Sequence, residues 1–181
     1  KLERAVTRLT ESGASGYASN LTAFSDASGT EWTLSKADRQ QRFDHLFQSA
    51  SAGCTYVFDT KAAELIAMRV GRVEDHDWSG MSHDWLCYAI CRSHGLSWLI
   101  DDWSGIRYRQ HEQNLFGAMP GVKGALKRLS LMREGWYRGV LLRNRPFLDP
   151  ANSMEQPVLD RMARLNVGDR LWLAARARQF R

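Results

Sequence analysis

Short apolar runs alternate along this chain with stretches of helical period, and no run approaches the roughly 18 to 20 residues of a membrane span. Cys54-Thr-Tyr-Val-Phe58 is β-branched and aromatic, the makeup of a short buried strand, and Ser97-Trp-Leu-Ile100 reads as a second. Leu2, Val6 and Leu9 recur at helical spacing, ahead of a Gly-, Ala- and Ser-rich stretch at 12–19 that reads as a loop. Ser35 heads a segment with Phe43, Leu46 and Phe47 on one side, and Asp59 or Thr60 caps a helix through Arg69. After an acid- and His-dense loop at 73–82, Ser82 caps a helix over 84–94 that Gly95 ends.

Downstream, the pattern predicts a turn at 101–105, helices over 107–116 and 121–134, and a strand over 136–143. A helix over 153–165 follows, with Pro157 in its first turns, where a missing N–H is tolerated. A strand over 170–180 closes the chain, with Leu171, Leu173, Ala175 and Ala177 on one face and Arg170, Trp172, Arg176 and Arg178 on the other. The expectation is an α+β fold, a single mixed helix and strand domain over 1–181, large enough to bury about two-thirds of its unfolded surface.

Charge is divided unevenly. Residues 1–102 carry 10 Lys and Arg against 14 Asp and Glu, whereas 103–181 carry 15 against 6, so an acidic first half precedes a basic second half. Arg supplies 13 of the 15, and its planar fork suits phosphate better than an ammonium does. A polyanion such as DNA or a nucleotide is the partner this predicts, through Arg161, Arg164, Arg170, Arg176 and Arg178. The alternative is a basic surface that pairs with the acidic half of the same chain. Cys54, Cys87 and Cys91 form an odd set and read as reduced thiols; with no secretory pattern after Lys1, the expectation is a cytoplasmic protein, with peripheral attachment to the inner membrane through a partner as a further option.

The stretch from Ser97 to Glu112 carries the most chemistry. An apolar strand running into a Gly-containing turn and then a helix gathers backbone N–H groups with the guanidinium groups of Arg107 and Arg109, an anion seat in which Ser104 donates a hydroxyl and Gly105 lets the backbone approach. Asp101 and Asp102, at the strand end, are the candidate ligands of a Mg²⁺ ion bridging phosphate, and Glu74, Asp75, Asp77 and Asp84 add acid nearby. The competing duty of the Asp pair is to cap the turn through the backbone. His111 and Glu112 offer a base and its orienter. His83, Cys87, Cys91 and His94 share a helix face, but residues in a row cannot surround a tetrahedral ion, so the cysteines read as core. The His-Asp pairs at 76–77 and 83–84 lack the further ligands of a metal phosphohydrolase, and Trp98, Trp103 and Trp172 are candidates to stack on bases.

Gly105-Ile106-Arg107-Tyr108 resembles the nucleotide-binding loop of the ParB/sulfiredoxin superfamily, in which Gly is followed by Glu or Gln, then Arg, then Arg, Tyr or Trp. Ile106 departs from that pattern, and no Cys stands in the motif as it does in sulfiredoxin. In size, Arg and Trp richness and motif position the chain is similar to the plasmid fertility-inhibition branch, the oncogenic-suppression (Osa-like) proteins. The resemblance implies a ParB/sulfiredoxin-like core, ATP as ligand, Gly105 and Arg107 on phosphate and Tyr108 beside them. It further implies ATPase and DNase activity that blocks DNA transfer by a conjugation or type IV secretion system. A DNA-binding module without catalysis, and an interaction protein that occupies a component of the transfer machine, are the alternatives.

Overall fold

The structure, a computed structural model, describes residues 1–25, 29–35, 40–109, 126 and 129–180. An opening helix α1 (Leu2–Ser12) ends at Gly13, whose φ of 66° closes it in the left-handed conformation. The chain then enters β1 (Gly16–Ser25), the strand on which the sheet is built. β4 (Trp98–Arg109) runs parallel along one edge of β1. The other edge is shared by the short β3 (Val57–Phe58) near the start of β1 and by β2 (Thr30–Leu34) near its end, both antiparallel. Tyr17, Ala18, Leu21 and Ala23 of β1 are buried, as its central place requires.

The sheet corrects the expected turn at 101–105 and the helix expected to follow it. β4 continues through Arg109, and the register with β1 slips on either side of Asn20, so that Ser19 faces Asp101, Asn20 faces Ser104 and Thr22 faces Arg107. The extra residues are absorbed as bulges within the strand. The remainder of the helix expected over 107–116, like His111 and Glu112, lies outside the described residues. β1 itself occupies much of what composition assigned to a loop at 12–19: Ser and Ala are poor strand formers alone, but here they pack between two neighbouring strands.

Helix α2 (Thr60–Gly71) starts where expected, Asp59 accepting from the Ala62 amide at 2.7 Å. Helix α3 (His83–Ser93) is the pivot of the interior. Trp85 and Ala89 face a cluster with Phe43, Leu46, Val140, Leu141 and Leu159. Tyr88 and Cys91 face Ala18, Ala62 and Trp98. Leu86 and Ile90 close on Phe147. Cys91 is therefore a core residue, and Trp98 packs edge-on against Tyr56, Phe58 and Tyr88 instead of offering a ring to a base.

Two expected strands are helices. Residues 136–143 form α4 (Trp136–Asn144), and 170–180 fall in α6 (Val167–Ala174) and a single 3₁₀ turn (Ala177–Gln179), after α5 (Gln156–Arg164). Residues 43–47, expected on a helix, contribute a 3₁₀ turn (Asp44–Leu46) that still buries Phe43 and Leu46. The architecture is a mixed single domain, a four-stranded sheet with helices. Among the described residues no helix is long and apolar enough to cross a membrane.

Candidate functional site

The residues expected to form the anion seat are strung along β4 and do not converge at a bend. Asp101 is buried, and its Oδ2 accepts from Arg4 Nε at 2.8 Å and Tyr17 Oη at 3.0 Å, while Oδ1 accepts from Arg4 Nη2 at 3.1 Å and the Trp103 amide at 3.2 Å. The Arg4 hydrogen bonds hold its carboxyl down at about 2, against the opposing pull of burial. Asp102 is exposed at the bulge, and its carbonyl accepts from Asn20 Nδ2 at 2.9 Å. Ser104 Oγ is 2.8 Å from Thr22 Oγ1, and the Trp103 ring fills the space a Cβ on Gly105 would take. Arg107 is exposed, paired with Glu31 and stacked over Phe24 at 5.0 Å. Tyr108 and Arg109 face Ala23 and Phe24 in the ladder. Among the described residues no three His, Cys, Asp or Glu side chains gather as a metal ligand set.

Arg161 and Arg164 sit on the helix α5, and Arg170, Arg176 and Arg178, expected on a strand face, sit on α6 and in the segment that follows it. Asp169, buried, accepts from Arg164 at 3.1 and 3.3 Å and lies 3.9 Å from Arg161. Arg161 and Arg176 both stack on Trp172, at 4.1 and 4.0 Å from its ring centre.

A different group of residues meets at the start of α3. Ser82, extended at the N-cap position, does not cap the helix with its own side chain; its hydroxyl donates to Asp84 Oδ1, which also accepts from the Trp85 amide at 3.0 Å. Asp84 is half-buried, and its Oδ2 makes no hydrogen bond among the described residues. The 3₁₀ turn Gly53–Thr55 packs directly on this pair: a Cβ on Gly53 would stand 2.6 Å from His83 Nε2 and 3.1 Å from Asp84 Cβ. Burial pushes the Cys87 thiol up to about 11, and the Asp84 charge adds to it. Burial is also the main cause that raises Cys54 and Tyr56, and the Asp84 charge acts in the same direction on both. The sequence flagged Asp84 as an acid and as half of a His-Asp pair, whereas nothing local to Gly53 announced that it would pack against it.

The helix carrying Asp84 is anchored from below. Trp85 Nε1 donates to the His45 carbonyl at 2.8 Å, Tyr88 Oη to Asp44 Oδ2 at 3.0 Å, and Ser93 Oγ to Glu155 Oε2 at 2.7 Å. His45 Nε2 is 2.8 Å from Glu155 Oε1, which also accepts from Asn152 Nδ2 at 2.8 Å. Burial opposes a charged His45, but its partners Asp44 and Glu155 outweigh that and raise its pKa above the ordinary histidine range. A platform fixed by hydrogen bonds to two separate segments, the Asp44–His45 turn and Glu155, holds a side chain at its N-terminus in one place, which is what a reacting carboxylate needs.

No family model matches the chain, and no solved structure matches it. The chain is 36% identical over 140 residues to the dTDP-rhamnosyl transferase RfbG of Shigella flexneri, a match that takes in 76% of this chain and 47% of that protein. The chain thus spans about half the length of the curated relative it matches. This relationship overturns the resemblance to the fertility-inhibition proteins of the ParB/sulfiredoxin superfamily, whose motif was read on four residues that lie within the bulged strand β4. It also overturns the ATPase and DNase activity, the plasmid and conjugation setting and the transfer-blocking role drawn from that resemblance; the name of the relative points to sugar transfer.

Proposed function

We propose that this chain forms part of a glycosyltransferase that moves a deoxyhexose such as rhamnose from a dTDP-activated donor to a hydroxyl group. The observation that carries the reading is the 36% identity to a dTDP-rhamnosyl transferase. A match spanning 76% of the chain necessarily includes its middle, where Gly53, Ser82 and Asp84 lie.

The chemistry asks for one group that the α3 site supplies. When an acceptor hydroxyl attacks the anomeric carbon and the diphosphate departs with the electrons of the breaking C–O bond, the hydroxyl proton must go to a base. In this reading Asp84 is that base. Ser82 and the Trp85 amide hold Oδ1 and fix the carboxylate plane, leaving Oδ2 to take the proton. Gly53 lets its turn pack tightly on the His83–Asp84 pair without adding a side chain.

The test uses the purified protein with dTDP-rhamnose and a series of mono- and oligosaccharide acceptors, reading dTDP release. Asp84→Asn lowers turnover by roughly 10² to 10⁴-fold, the usual contribution of a general base, with an unchanged circular-dichroism spectrum. Equal turnover in Asp84→Asn and the parent would remove Asp84 from the reaction.

A further inference from the structure

Helix α6 leaves part of its apolar surface exposed. Asp169, Trp172 and Leu173 form its inward side: Asp169 is buried, and Trp172 and Leu173 pack against the cluster around α3, α4 and α5. Val167, Arg170, Leu171 and Ala174 fall at i, i+3, i+4 and i+7 on the outward side, with Val167 74% and Leu171 68% exposed. A capping box of Asn166 and Asp169 starts the helix, so this stripe is held as a formed surface.

The charges around the stripe are unbalanced. Residues 156–180 contain Arg161, Arg164, Arg170, Arg176 and Arg178 against Asp160 and Asp169. Asp160 is taken by Arg145 at 2.6 Å, and Asp169 by Arg164. Arg170 donates to the Leu165 carbonyl and Arg176 to the Trp172 carbonyl. No carboxylate pairs with Arg170, Arg176 or Arg178 among the described residues.

Exposed guanidinium groups alternating with exposed aliphatic side chains match a surface that is anionic at its rim and hydrocarbon just beneath. We propose that α6 and the turn after it dock on an anionic phospholipid bilayer, the exposed Arg170 and Arg178 meeting lipid phosphates while Val167 and Leu171 enter the acyl boundary. Nucleic acid would reward the arginines and leave Val167 and Leu171 in water, which is why lipid fits this face better. The inference concerns elements other than those that carry Asp84 and does not rest on the glycosyl-transfer reading.

Purified protein is sedimented with phosphatidylcholine vesicles and with phosphatidylcholine–phosphatidylglycerol vesicles at low and high salt, and its mass in solution is followed by light scattering. Binding is expected only to the anionic vesicles and weakens with salt. Each of Arg170→Gln and Arg178→Gln weakens it by about fivefold, and Leu171→Gln by about tenfold. These positions are exposed, so the variants retain the parent's melting temperature. Three outcomes overturn the proposal: equal partition onto neutral and anionic vesicles, tight binding of DNA with none to vesicles, or a dimer that Leu171→Gln dissolves.

Discussion

Asp101 shows how a side chain's duty is decided by partners that the local sequence does not contain. Beside a Gly turn, an Asp pair is a reasonable ligand set for a cation, but Arg4 stands 97 positions earlier and arrives only because α1 packs against the β1–β4 edge. With four donors on its two oxygens, the carboxylate serves the fold. Its folded pKa, near 2, lies below the ordinary 3.8, so the stabilisation is fully present above about pH 4 and is lost as pH falls through the folded value. Asp101→Asn is expected to cost about 1–2 kcal/mol at neutral pH, discounted because Arg4 is 42% exposed and screened by water. In urea melts the gap between parent and variant closes between about pH 4 and pH 2; a gap unchanged over that range would assign the loss to Tyr17 and packing. Of the candidate site, the sequence carried Asp84 as an acid at a helix start after a Ser, which is a local pattern. It did not carry Gly53, because what matters there is the imidazole ring of a residue 30 positions away filling the place of a Cβ.

At the scale of elements, capping chemistry read more truly than side-chain alternation. Asp59 and Ser82 marked the starts of α2 and α3 within a residue, since an N-cap is a local arrangement that sequence displays directly. The stretch over 170–178 alternates basic with apolar residues at period two, and that suggested a strand. The helix forms because Asn166 and Asp169 complete a capping box ahead of it, and Trp172 and Leu173, adjacent in sequence, both turn inward, as neighbours on a helix can and neighbours on a strand cannot. Asn166→Ala removes the acceptor of the Asp169 amide and is expected to lower stability by about 1 kcal/mol. Because α6 carries the outward stripe, the same variant also loosens vesicle binding, whereas Asn166→Ser, which keeps a capping oxygen, restores both. Melting temperature and sedimentation of the two variants check this together. The central β1 escaped notice for the complementary reason: its Gly, Ser and Ala residues owe their extended conformation to partners on both edges, and single-segment propensity does not register a neighbour.

Across the whole molecule, the opposition of an acidic half and a basic half is only weakly expressed as pairing between them. Arg4–Asp101 and Arg92–Asp44 lie within the first half, and Arg145–Asp160 and Arg164–Asp169 within the second. Among the described residues two pairs cross: exposed Arg107–Glu31 and buried His45–Glu155. The buried one joins the 3₁₀ turn Asp44–Leu46, the end of α3 through Ser93, and the segment leading into α5 through Asn152, so it couples the two halves where solvent cannot screen it. Its protonation therefore acts on the entire fold. Folding raises the His45 pKa above its ordinary 6.5, so the ion pair's contribution is fully present below that pH and is lost as pH rises through the higher folded value. Global stability by urea denaturation is thus expected to fall as the solution is made alkaline past neutrality, with His45 Nδ1, 3.7 Å from Asp44 Oδ1, losing the proton that faces that carboxylate. Glu155→Ala, which leaves His45, Ser93 and Asn152 without their shared acceptor, lowers stability by about 3–5 kcal/mol and flattens the alkaline decline. An alkaline decline of the same size in Glu155→Ala would place the titrating group elsewhere.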